Sequence, residues 1–131
     1  MNYSSRYVLT TIDDIKKVAK GVLCGVEKQI VLSEERRYDI ALIINELLVN
    51  SFEHAHPTAK LPVFFRADIV GNKLCIGVID GGSGFAHAEP ARRNHDALLK
   101  ERGRGLMIVR ALCEDIKYNL SGNSVEVKIA L

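Results

Sequence analysis

The sequence predicts an α+β fold: a two-layer α/β sandwich in which a mixed, mostly antiparallel sheet carries about three helices on one face. Three observations lead there. The elements read in the order β-α-α-β-β-α-β-β, which does not alternate as a doubly wound parallel sheet would. Two β-rich runs flank Gly71-Asn72, a pair that favours a tight hairpin and hence antiparallel pairing. A helical pattern from Ser33 to about Ala55 carries a continuous apolar stripe that needs a sheet to cover it. The 131 residues fit one domain, 1–131, and 47% hydrophobic with 26% charged residues is a globular balance.

Tyr3 to Thr10 mixes aromatic, β-branched and small polar residues and reads as a short strand. Thr11 precedes Asp13 and Asp14, an acidic first turn that suits a helix N-terminus. Ile12, Ile15, Val18, Ala19, Val22, Leu23 and Val26 then recur at helical spacing, giving a helix to about Gln29. Ser33 is the expected N-cap of the second helix, which Pro57 stops. At about 1.5 Å per residue that helix is roughly 33 Å long. Val63 to Val70 and Leu74 to Ile79 form the hairpin. The polar stretch Phe85 to Arg102 reads as a loop with a weak helical tendency around Asp96 to Lys100. Gly105 opens a helix to about Glu114, and Ile116 to Leu120 and Val125 to Leu131 alternate like strands around Ser121-Gly122-Asn123.

Charge and cysteine usage exclude several classes. A net charge of +2, with basic residues interspersed among acidic ones as in Glu34-Glu35-Arg36-Arg37, argues against a nucleic-acid or membrane partner. Cys24, Cys75 and Cys113 are far apart among apolar residues, so three buried free thiols in a reducing cytoplasm are expected. His54 and His56 are two residues apart and point to different helix faces, a poor metal pair. His87 and His95 have no Cys or carboxylate partner at ligand spacing. No signal-peptide pattern is seen at the N-terminus, and no apolar run approaches the ~20 residues that span a bilayer.

Three stretches carry candidate chemistry. On the second helix Glu46, Asn50 and His54 follow at i, i+4 and i+8, within about 80° of arc. Ile40, Ile43, Ile44, Leu47, Leu48 and Ser51 form the adjoining stripe, so the polar trio runs along the edge of the buried face. A carboxylate, an amide oxygen and an imidazole there can serve as proton acceptor, Mg²⁺ ligand and phosphate contact. Read alone, Asn50 could equally bond locally and Glu46 stand solvated. The second stretch, Asp80-Gly81-Gly82-Ser83-Gly84, ends an apolar strand with three glycines that let the backbone bend closely over a ligand. A carboxylate at that point can accept a hydrogen bond from an exocyclic amine and so separate adenine from guanine, although an ordinary Asp-Gly turn reads the same way. The third, Arg102-Gly103-Arg104-Gly105-Leu106, runs into a helix whose N-terminal amides can hold phosphate. Neither glycine turn matches a Rossmann fingerprint, and no stretch is a P-loop.

An E-x-x-x-N helix, then D-G-G-x-G after a strand, then G-x-G opening a helix, resembles the GHKL (histidine kinase-like) ATPase superfamily over almost the whole chain. Glu46 to Ala55 and Gly103 to Leu112 are similar to the anti-sigma-factor serine/threonine kinases within it. The resemblance implies a Bergerat-type ATP-binding fold, with ATP and Mg²⁺ as cofactors. It implies Asn50 as the Mg²⁺ ligand, Glu46 as general base and Asp80 on the adenine amine, with Gly82 and Gly84 shaping that pocket. Gly103 and Gly105, with Leu106 opening the helix, would border the phosphates, His54 would approach them, and Phe85 to Arg102 would be the ATP lid. Ser124 stands where the family commonly has a Thr, and Gly81 replaces an acidic residue often found there. Arg102 and Arg104 are both candidates for the transferred phosphoryl group.

The partners implied are an anti-sigma-factor antagonist, phosphorylated on Ser or Thr, and a sigma factor held in the other state; the family also tends to dimerise. Two alternatives share the motifs. A non-catalytic partner-switch module would have no need of Glu46. A stand-alone histidine-kinase catalytic domain fits less well, because no long coiled coil with an acceptor His is present. Gyrase-like or MutL-like ATPases would need a transducer domain.

Overall fold

Alternation of apolar and polar residues sets the strands, and one glycine sets the central hairpin. In the computed structural model, residues 2–55, 57–58, 60–81, 104–119 and 123–131 are described, residues 104–106 as backbone only. Among them, strands Ser4–Leu9 (β1), Val63–Val70 (β2), Lys73–Ile79 (β3), Asp115–Tyr118 (β4) and Ser124–Ala130 (β5) form one sheet. Its order is β1-β2-β3-β5-β4, and every neighbouring pair is antiparallel. The expected mixed character is therefore absent among the described strands. Gly71 takes φ 63° at the β2–β3 turn, a left-handed conformation that costs a glycine little.

The helices are Asp14–Glu27 (α1), Glu34–Ala55 (α2) and Arg104–Leu112 (α3). Ser33 caps α2 as its chemistry suggests, its Oγ accepting from Arg36 N–H at 3.0 Å. Helix α3 ends at Leu112, short of the expected Glu114. There the Glu114 N–H donates instead to the Lys128 carbonyl at 2.8 Å, which draws the chain into the sheet. Cys24 corrects another expectation: it is exposed, while Cys75 and Cys113 are half-buried. Its place on α1 lies off the stripe of Ile15, Val18, Val22 and Val26 that is buried.

One core lies between the helices and a single face of the sheet. The α2 stripe Ile40, Ile43, Ile44, Leu47 and Leu48 is buried against Val63, Phe65, Ala67, Leu74, Ile76, Val78, Val127 and Ile129. The opposite sheet face carries charge across three strands. Arg66 on β2 pairs with Asp68 at 3.2 Å and with Glu126 on β5 at 2.9 Å. To do so it crosses Gly77 of β3, where a Cβ would come within 2.8 Å of the Arg66 Nε. A side chain at 77 would lift that arginine off the sheet.

Strand β1 and the residue before it pack on α1 through two tyrosines, Tyr7 and Tyr3, seated over two glycines one helical turn apart. A Cβ at Gly25 would lie 2.1 Å from Tyr3 Cε1, and one at Gly21 would lie 2.2 Å from the Tyr7 hydroxyl. The Tyr3 ring is held by a 2.7 Å hydrogen bond between its hydroxyl and Ser5 Oγ. Alanine at 25 gains about 1 kcal/mol of helix propensity, but overpacking costs about 1–3 kcal/mol. Gly25→Ala should therefore lower the melting temperature by roughly 3–8 °C. In a Tyr3→Ser background the same change should raise it. Loss in both backgrounds would show that the ring is not the cause.

Asp14 at the start of α1 accepts from the Thr10 and Thr11 N–H groups at 3.1 and 3.2 Å. The Thr10 bond, then the Thr11 bond, hold its carboxyl below the ordinary value of 3.8. A pKa lowered by folding makes a contribution that is complete above the unfolded value and is lost as pH falls through the folded one. Asp14→Asn should thus be less stable than wild type at neutral pH, and the two melting curves should converge as pH falls through the lowered folded value of Asp14.

Candidate functional site

The carboxyl end of β3 and the C-terminal half of α2 face each other across a cleft. Its walls include Asn50, Ser51 and His54 from α2, Val78 and Asp80 from the β3 end, and Tyr118, Asn123, Ser124 and Val125 from the β4–β5 side. Four residues singled out from sequence, Asn50, His54, Asp80 and Ser124, thus come together from three separate parts of the chain. Between the described residues the cleft holds a cavity of about 20 Å³, room for about one water molecule.

Helical geometry explains the α2 wall. Ser51 shares the buried stripe, whereas Glu46, Asn50 and His54 are half-buried at its margin. Asn50 and His54 reach the cleft, one turn apart. Glu46, a further turn towards the helix start, is not among the residues that line it. On the opposite wall Asp80 is only 8% exposed, an unusual place for a carboxylate. Its N–H donates to the Asn123 carbonyl at 2.9 Å, continuing the β3–β5 ladder one residue past Ile79.

The glycine turns are partly in view. Gly81 packs against the loop before β2: a Cβ there would lie 3.0 Å from Leu61 Cβ and 3.1 Å from its Cδ2. That close approach accounts for the glycine following Asp80. Helix α3 begins at Arg104, directly after Gly103, and its buried Val109 joins the core. Gly82, Gly84, Arg102 and Gly103 lie outside the described residues, as do the stretch 85–102, His56, His87 and His95. For Arg104, Gly105 and Leu106 the helix is described and the side chains are not.

Sequence reasoning missed Tyr118 and Asn123. Burial pushes the Tyr118 phenol above its ordinary value, while nearby Arg110 acts the other way, so the hydroxyl stays protonated at neutral pH and can donate. Strand alternation held the signal for Tyr118, which pairs with the buried Val125 on the core side of the sheet. Asn123 carries only a turn signal in the sequence.

A buried carboxylate, an amide oxygen and hydroxyl donors around one cleft can recognise a base carrying both hydrogen-bond donors and acceptors. No helix among the described residues is long and apolar enough to cross a membrane. The family model of the histidine kinase-like ATPase domain matches residues 10–129. No curated protein matches the chain.

Proposed function

We propose ATP-dependent phosphoryl transfer to protein, from one premise: the chain belongs to the histidine kinase-like ATPase domain family. Membership implies ATP binding. Beyond it, the reading is a Mg²⁺-dependent serine/threonine kinase of the anti-sigma-factor type, acting in the cytoplasm. Its substrate is an anti-sigma-factor antagonist, its alternative partner a sigma factor, and its working form a homodimer. The observation that supports this best is Asn50 and Asp80 on opposite walls of one cleft, with Glu46 one turn from Asn50 on the same helix.

Asp80 accepts the adenine amine, and guanine would present a carbonyl oxygen there instead. Asn50 would supply Mg²⁺ with a neutral, hard oxygen, and the ion would take its other ligands from phosphate and water. When bound, the ion neutralises charge on the phosphates. The amides opening α3 hold the remaining phosphate oxygens, with Arg102 and Arg104 as the candidates for the transferred phosphoryl group. Glu46 takes the proton of a partner Ser or Thr hydroxyl as its oxygen bonds to the γ-phosphorus, while the β–γ bridging bond breaks and ADP leaves.

A second reading, a non-catalytic module that chooses partners by nucleotide occupancy, is favoured by one observation: Glu46 is not among the residues lining the described cleft. Incubation with γ-labelled ATP, Mg²⁺ and candidate antagonists separates the two. Label on a partner Ser or Thr supports the kinase. Nucleotide binding with no transfer to any antagonist supports the module.

A further inference from the structure

We propose that Asn119 and Asn123 are positioning residues for base recognition, a relay that fixes the direction of Asp80. The proposal rests on the reading above, in which Asp80 meets the base. Past Ile79 the strand ladder would end, and the chain runs on into glycines that cannot anchor a side chain. Asn123 takes over at that point. Its carbonyl accepts from Asp80 N–H at 2.9 Å, and its side-chain Nδ2 donates to the Asp80 carbonyl at a longer 3.4 Å. Both backbone groups of Asp80 are thereby held by one residue, and Asp80 lines the cleft.

Asn123 is held in turn by Asn119. The Asn119 Oδ1 accepts from the Asn123 and Ser124 N–H groups at 3.0 and 3.2 Å. Its Nδ2 donates to Asn123 Oδ1 at 2.7 Å, the shortest bond of the set. That bond decides which way the Asn123 amide faces: with Oδ1 towards Asn119, Nδ2 faces Asp80. A carboxamide has both a donor and an acceptor end, and the relay uses both at each asparagine. An aspartate at 119 would keep the acceptor for the two backbone N–H groups and lose the donor. The Asn123 amide would then turn over and present oxygen to the Asp80 carbonyl.

This difference separates positioning from mere turn stability. In the full-length chain, ATP and GTP affinities and melting temperature are measured for wild type, Asn119→Asp, Asn123→Ala, Asp80→Ala and the Asn123→Ala/Asp80→Ala double variant. Each asparagine change should weaken ATP binding about 3–10-fold and narrow the ATP-over-GTP preference by a similar factor, the scale of one buried hydrogen bond. Asn119→Asp should melt within about 3 °C of wild type, since its turn bonds remain. In the Asp80→Ala background, Asn123→Ala should have no further effect on either nucleotide, because it acts through Asp80. An equal loss in both backgrounds, or unchanged affinity in the single asparagine variants, overturns the relay. If Asp80→Ala weakens ATP while the asparagine variants do not, the relay alone fails. If Asp80→Ala leaves ATP affinity and preference intact, the base reading fails and the relay with it.

Discussion

Glu46→Gln is expected to bind ATP as wild type does and to transfer phosphate about 10²–10⁴-fold more slowly, the range lost with a general base. The substitution is close to isosteric and keeps helix propensity almost unchanged. It lies inside the 22-residue helix α2, far from either end. Its neighbours Ile43, Ile44 and Leu47 are buried, so the backbone that carries residue 46 is held by packing rather than by the glutamate itself. Proton acceptance is removed, together with the carboxylate's charge. Binding is read by displacement of a fluorescent ATP analogue and transfer by label on the partner hydroxyl. A Glu46→Gln variant that transfers at the wild-type rate would sink the general-base role. Weakened ATP binding with an unchanged rate per bound nucleotide would place Glu46 in binding instead.

The elements that were legible in the sequence are those in which local pattern and tertiary packing agree. The α2 stripe named from spacing is the set that is buried, down to Ser51. Ser33 caps because its hydroxyl can reach the N–H three residues on. The Gly71 turn forms because its φ is positive. Where expectation and structure part, a distant partner decides. Cys24 looks apolar in its local neighbourhood, yet the buried face of α1 is chosen by the sheet, and Cys24 is not on it. Glu114 continues the helical pattern until the Lys128 carbonyl takes its N–H. Among the residues that line the cleft, Asn50 and Asp80 stand out in local motifs, one at the margin of the α2 stripe and one at the Asp-Gly turn that follows β3. The contribution of Asn123 exists only once β5 lies beside β3, a pairing that no local pattern specifies.

Two walls of the cleft also differ in how they are held. The α2 wall rests on core packing, so Asn50 and His54 inherit the rigidity of a helix with five fully buried aliphatic neighbours, Ile40, Ile43, Ile44, Leu47 and Leu48. The Asp80 wall rests on hydrogen bonds from the β4–β5 turn and on the close approach of Gly81 to Leu61. Apolar burial is non-directional, whereas hydrogen bonds fix orientation. Metal and phosphate binding needs a firm platform, and base discrimination needs an aimed carboxylate. Each wall has the kind of support its proposed task requires.

Asn50→Ala should test that division by weakening ATP binding about 10–100-fold in Mg²⁺ and far less in EDTA. The magnitude is that of a lost interaction with a charged group. Asn50 is half-buried at the margin of the stripe, and alanine is the best helix former, so the fold should tolerate the change. The metal dependence is the informative part. If Asn50 works as a ligand, its loss matters only when the ion is present, and the wild-type gain in affinity on adding Mg²⁺ should nearly vanish in the variant. An amide that bonded the nucleotide directly, or only its own helix, would give the same ratio of wild-type to variant affinity with and without the metal. That result would remove Asn50 from the metal site while leaving Asp80 and the base reading untouched, because the two residues reach the cleft from opposite walls.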